Sequence, residues 1–160
     1  MKNYIFITLL LVNTTYADSL FSKGEKSLGV TLGADKSFGN NYTVVGANVN
    51  YFVIDNLSIG ASYQAFVGDK PNINEVTVPV TYHLPLENTT YRPYIGAFYN
   101  QTFIGDSAYK DYNVMGGRAG VSLQTSINSF MSLGWVQEFS SSDKQRDTKG
   151  YPELTAGFKF

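Results

Sequence analysis

The stretch Tyr151-Pro152-Glu153-Leu154-Thr155-Ala156-Gly157-Phe158-Lys159-Phe160 ends the sequence and decides the reading of the rest. Pro152, Leu154, Ala156, Phe158 and Phe160 fall on one face, and Tyr151, Glu153, Thr155, Gly157 and Lys159 on the other. This is the two-residue period of a strand with one apolar side.

The same period recurs upstream. Residues 26–35 set Leu28, Val30, Leu32 and Ala34 against Ser27, Gly29, Thr31 and Gly33. Residues 42–53 carry Val45, Ala47, Val49, Tyr51 and Val53 on one side, and residues 57–67 carry Leu57, Ile59, Ala61, Tyr63, Ala65 and Val67. Residues 74–84 place Val76, Val78, Val80, Tyr82 and Leu84 opposite Glu75, Thr77, Pro79, Thr81 and His83. Pro79 has no N–H to donate, so a bulge or a missing bond is expected there. Residues 91–103 are a strand whose facing the pattern leaves open, because Tyr94/Phe98 and Ile95/Tyr99 are both bulky. Residues 112–124 turn Met115, Ala119, Val121 and Leu123 one way and Arg118 the other, and residues 130–139 supply Met131, Leu133, Trp135 and Phe139. Gly- and Asn-bearing turns separate the segments. The expectation is an all-β fold of eight antiparallel strands in up-and-down order, without an internal repeat or a second domain.

Periodicity is blind to whether the apolar face of such a barrel points inward, as in a soluble calyx, or outward into lipid. The polar face decides it. It carries mainly Gly, Ser, Thr, Asn and Gln where a water-facing surface would carry many charges, and small polar residues suit the narrow interior of an eight-stranded barrel. Ten residues at roughly 3.3 Å each, tilted by about 45°, span about 23 Å, close to the roughly 25 Å apolar band of an outer-membrane barrel. With the N-terminus on the periplasmic side, Tyr51, Phe52, Tyr82, Tyr91, Phe130, Phe158 and Phe160 fall near the inner rim. Tyr42, Phe66, Phe103, Tyr112, Phe139 and Tyr151 fall near the outer rim, giving two expected aromatic belts. The reading is a transmembrane β-barrel.

On these residues the whole chain after residue 17 resembles the small OmpA/OmpX-type eight-stranded barrels of the bacterial outer membrane. Arg92-Pro93-Tyr94-Ile95-Gly96-Ala97 is similar to a strand start common among them, and Phe158 with the terminal Phe160 resembles their C-terminal insertion signal. The resemblance implies an integral outer-membrane protein in contact with lipid and lipopolysaccharide, inserted by the barrel-assembly machinery and monomeric. The outer connections, 36–41, 68–73, 104–111 and 140–150, are shorter than in typical members, which argues against a function carried by long loops.

The N-terminus agrees with export. Lys2, the apolar run Tyr4–Val12 and Thr15-Tyr16-Ala17 have the layout of a signal peptide over residues 1–17, with cleavage after Ala17. The apolar run is too short for a membrane-spanning helix, which needs about 20 residues. Cleavage would leave residues 18–160 as one barrel domain, with Asp18–Glu25 as an unstructured lead-in. Removing Lys2 from the 12 basic residues leaves 11 against 13 acidic, which offers nothing to nucleic acid. No cysteine is present, which fits the envelope without requiring it.

Little in the chain invites chemistry. His83 is the one histidine, near the inner end of its strand, and a hydrogen-bonded interior role suits it better than catalysis. Asp55, Asp69, Asp106, Asp111 and Asp143 are scattered over different turns, so no metal centre and no cofactor is expected. Lys144, Arg146 and Lys149 in the last outer loop are interleaved with Asp143 and Asp147, the pattern of a solvated loop. The informative set is Arg118, Glu138 and Glu153, all of inward parity. A hairpin symmetric about 127–128 sets Arg118 level with Glu138, with Glu153 following at similar height. Charges in a narrow lumen need partners, so these three are expected to form an interior charge network that plugs the barrel. The functional expectation is therefore a non-enzymatic barrel with a structural, anchoring or surface-interaction role. The alternatives are a narrow pore or a lateral exit for small or hydrophobic molecules and, further off, a lipid-modifying enzyme.

Overall fold

Every alternating segment forms a strand in the computed structural model, which describes residues 20–37, 40–68, 70–86, 90–139 and 149–160. They are β1 Lys26–Ser37, β2 Asn40–Ile54, β3 Leu57–Gly68, β4 Ile73–His83, β5 Tyr91–Ile104, β6 Tyr112–Gln124, β7 Ser129–Phe139 and β8 Lys149–Lys159. Each pairs antiparallel with its neighbour in sequence, and β8 returns to β1, closing an eight-stranded barrel. The proposed signal peptide and the charged positions 143–147 lie outside the described residues.

Local chemistry explains where the ladder bends and where it breaks. Asp55-Asn56 turns β2 into β3, with Asn56 in the left-handed region at φ 65° and a register shift between Phe52 and Ile54. Asn tolerates that conformation better than other residues with a side chain. Between β3 and β4 the pairing runs from Leu57↔Tyr82 to Ile59↔Val80 and resumes at Ser62↔Thr77. The gap falls at Val78-Pro79, where the sequence anticipates a missing bond. A second break lies in the closing seam. The β1–β8 ladder ends at Gly33↔Glu153, although both strands continue beyond it toward the outer rim. At the next step Ala34 would face Pro152, whose ring replaces the needed N–H.

The outer wall is apolar. Val30, Leu32, Val49, Tyr63, Val78, Ile95, Met115, Leu133 and Trp135 are all exposed. So continuous a surface is a lipid-facing one, and a closed barrel leaves no strand edge to meet the hydrocarbon. No helix of the described residues is long and apolar enough to cross a membrane; the strands do the crossing. The open facing of β5 is settled by its burial: Tyr94, Phe98, Asn100 and Thr102 point inward, Ile95, Ala97, Tyr99 and Phe103 outward.

The belts need correction. Tyr51, Tyr82, Phe158 and Phe160 at the inner rim and Phe103 and Phe139 at the outer rim are exposed as expected. Phe52, Tyr42, Phe66 and Tyr151 are instead buried inside the barrel. Height along a strand placed them near a rim, but their parity is that of the inward face. They belong to three apolar layers filling the lumen: Tyr42, Val44, Phe66 and Ile73 at the outer end, Phe98, Val136 and Tyr151 in the middle, and Leu20, Phe21 and Phe52 at the inner end. The interior is therefore more apolar than a lining of small polar side chains. Glycine makes room for it, since a Cβ on Gly116 of β6 would overlap the Phe98 ring.

Candidate functional site

Arg118 enters the lumen from β6, between the middle and inner apolar layers. Its Nε donates to Glu153 Oε1 at 3.0 Å, and its Nη2 donates to the same oxygen as an ion pair. Tyr94 Oη from β5 donates to that oxygen as well, at 3.3 Å. Glu153 is buried and Arg118 half-buried. Three donors on one carboxylate oxygen offset part of the desolvation that a lumen charge suffers. The Tyr94 hydroxyl fits because β6 and β7 are bare there; a Cβ on Gly120 would lie 2.7 Å from it.

Glu138 is not the partner of Arg118. The β6–β7 register pairs Arg118 with Val136 and Gly116 with Glu138, so the hairpin is centred on residue 127. Each residue of error in a turn's centre moves the cross-strand partner by two and preserves its parity. Glu138 therefore still faces inward, but farther toward the outer rim. There it accepts the Tyr151 hydroxyl at 3.5 Å. The nearby Glu75 carboxylate takes Asn100 Nδ2 at 2.7 Å and Thr102 Oγ1 at 3.0 Å, and Lys149 Nζ reaches Asp35 Oδ2 at 3.1 Å across the open part of the β1–β8 seam. The three predicted charges thus fall into two separate groups, Arg118–Glu153 toward the inner end and Glu138 with Asp35, Glu75 and Lys149 toward the outer end.

The inner mouth holds what the sequence reading missed. Residues 20–24 are turns folded into the barrel opening, where Leu20 and Phe21 are each 2% exposed. Burying side chains of this size contributes roughly 1.5–3 kcal/mol apiece. The Phe21 ring stacks on His83 with centroids 4.3 Å apart, meets Phe52 edge-on at 5.7 Å, and lies under the Arg92 guanidinium at 6.0 Å. Backbone bonds hold the segment in place: Asn56 N–H to Phe21 O at 2.6 Å, Gly24 N–H to Phe52 O at 2.8 Å, and Lys23 N–H to Asp55 Oδ1 at 2.8 Å. The adjacent apolar pair Leu20-Phe21, followed by Gly24 just before β1, is the signal in the sequence that could have revealed it. His83 is accordingly packed among the rings of Phe21, Phe52 and Tyr94.

Between this segment and the Arg118–Glu153 pair lies a cavity of about 60 Å³, lined by Ser27, Asn50, Ser58, Thr81, Ser122 and Ser132 among others. A second, of about 20 Å³, is lined by Ser62, Gln64, Thr77 and Asn100. Both have Arg118, Glu153 and Asn48 as walls, so the ion pair stands between them. At about 10–15 Å³ per water, the larger holds a few water molecules and the smaller about one. Among the described residues no three His, Cys, Asp or Glu side chains converge as metal ligands would.

This eight-stranded barrel has structural counterparts. It superposes on the N-terminal β-barrel domain of Pseudomonas aeruginosa OprF with a TM-score of 0.71 at 18% identity, over 86% of this chain and 98% of that one. It has the fold of the small eight-stranded outer-membrane barrels. Neisserial surface protein A superposes with a TM-score of 0.57 at 19% identity, over 84% of this chain and 94% of that one. Yersinia pestis Ail does so with a TM-score of 0.57 at 13% identity, over 86% and 100%. No protein-family model matches the chain, and no curated protein matches it in sequence. A lipid-facing wall on this fold places the chain among proteins of the bacterial outer membrane.

Proposed function

We propose that this chain is a closed, non-enzymatic outer-membrane barrel with a structural, anchoring or surface-interaction role. The observation that carries this reading is the packing of the lumen: three apolar layers cross it, and the cavities on the two sides of the Arg118–Glu153 pair measure about 60 and 20 Å³. Such a barrel acts through its wall and rims, against outer-membrane lipid and lipopolysaccharide, as a monomer. Phe158 and Phe160, both exposed at the inner rim with ring centroids 6.3 Å apart, serve as the recognition signal for the assembly machinery. Single-channel recording on the refolded protein in planar bilayers tests the reading. Silent membranes are expected, and regular conductance steps would overturn it.

One observation favours a second reading, in which a hydrophobic molecule leaves through the wall. The β1–β8 seam is unpaired beyond Gly33↔Glu153, and a surface groove lined by Ala34, Asp35, Tyr42, Lys149, Tyr151 and Pro152 lies over it. A disulfide locking Ala34→Cys to Pro152→Cys would abolish any flux of an apolar dye by that route in liposomes and leave a structural role intact.

A further inference from the structure

We propose that residues 20–24 are a displaceable cork, gating a blind chamber that opens only at the inner rim of the barrel. The segment lies outside the strand ladder. Hydrogen bonds to Asn56, Phe52 and Asp55 tie it to the β2–β3 end of the rim, and Leu20 and Phe21 pack in the mouth, so it can leave without breaking any strand pair. Gly24, at φ +89° with open space around its Cβ position, supplies the hinge between the cork and β1.

The contacts are spread around the mouth. Phe21 touches Phe52 of β2, His83 of β4, Arg92 of β5 and Phe130 of β7. Those residues reach one another's vicinity only after the barrel has closed, so the cork docks last and opens first, as the least stable unit of the fold. Beneath it the chamber is polar, with hydroxyls from Ser58, Thr81, Ser122 and Ser132 and the side chain of Asn50. Its far wall is Arg118–Glu153 with Tyr94, backed by the layer of Phe98, Val136 and Tyr151. Withdrawing the cork therefore admits solvent to the chamber and no farther.

The absence of native cysteine allows a direct test. Ser58→Cys reports on the chamber, Thr77→Cys on the small cavity beyond the ion pair, and Ile127→Cys in the β6–β7 turn on freely exposed chain. Each is labelled with a charged methanethiosulfonate reagent in detergent micelles, in parent and Phe21→Ala backgrounds, with folding verified by heat-modifiable gel migration. Ser58→Cys is expected to react far more slowly than Ile127→Cys in the parent, and at least tenfold faster once Phe21 is Ala. Thr77→Cys stays protected in both. If Phe21→Ala does not fold, Asp55→Ala serves instead. It removes only the acceptor for Lys23 N–H, and a several-fold acceleration at Ser58→Cys is expected. Parent Ser58→Cys reacting as fast as Ile127→Cys overturns the seal. An unchanged rate in the folded cork variant overturns the assignment to residues 20–24, and labelling of Thr77→Cys together with Ser58→Cys overturns the blind chamber.

Discussion

Arg118 on β6 reaches past β7 to hold Glu153 on β8, a strand it does not neighbour. Such a reach is possible because the strand between them is bare at that height: Gly134 of β7 pairs with Gly120 of β6 on one side and with Glu153 on the other. The ion pair is thus a brace across the barrel as well as a partition of its lumen. Its cost is the desolvation of two charges, and its benefit is lost if either is left alone.

Arg118→Ala is therefore expected to destabilise the barrel by about 3–5 kcal/mol, the usual consequence of leaving one side of a buried pair uncompensated. Arg118→Met combined with Glu153→Gln removes both charges at similar volume and recovers most of the loss. Adding Glu138→Gln to Arg118→Ala does not, because Glu138 sits with the outer group. Urea unfolding of the four proteins in lipid measures all of this. Rescue through Glu138 in place of Glu153 would show that the pairing is wrong.

The lipid-facing wall makes a second prediction that depends on depth. Ala61 is exposed near the middle of β3 and Val67 near its outer end. Ala61→Arg is expected to cost about 2–4 kcal/mol on folding into bilayers, and Val67→Arg about 0–1 kcal/mol, because the guanidinium can reach water from the rim but not from the midplane. Equal costs at the two sites would mean that the apolar face is not in lipid.

Most of the wall was legible in the sequence, and most of the lumen was not. A period of two survives any error in strand ends, so the strands from Leu28 to Phe160 could be assigned to faces without knowing a single partner, except 91–103, where Tyr94/Phe98 and Ile95/Tyr99 put bulk on both sides. Partners depend on where each turn is centred. Taking the β6–β7 hairpin as symmetric about 127–128 allowed Glu138 where a centre at 127 gives Val136. Tyr42, Phe52, Phe66 and Tyr151 were drawn to the rims by a rule about aromatics, although the parity of their own strands points them inward. Leu20 and Phe21 carry no periodicity at all, and a nonperiodic pair gains meaning only from the mouth into which it folds.

Packing inside the narrow lumen supplies the third prediction. Gly116 leaves space for the Phe98 ring, and an added Cβ would also sit 2.6 Å from the Gln137 carbonyl oxygen. Gly116→Ala is expected to destabilise by about 1–3 kcal/mol through overpacking. Phe98→Leu in the same chain relieves the ring contact but not the backbone one, so only part of the loss returns. Complete rescue in urea titrations would place the whole strain on the ring, and no rescue would place it on the backbone.

The last prediction concerns the seam. Beyond Gly33↔Glu153 the two strands run on without pairing, and Lys149–Asp35 is a side-chain bridge across the gap. Amides freed from a ladder exchange through local opening, whereas those within it wait for larger disruptions. Hydrogen exchange on the refolded protein should therefore be fast at Gly150, whose amide faces the unpaired seam while those of Lys149 and Tyr151 face β7, and at least tenfold slower at Ala156 and Phe158, whose amides face the paired part of the seam. Pro152→Val restores the missing N–H and should slow exchange on the outer part of β1 if the proline is what parts the strands. Should the seam stay fast in Pro152→Val, the splay is imposed by the Asp35–Lys149 end and not by the ring, and Lys149→Ala would then be the change that moves it.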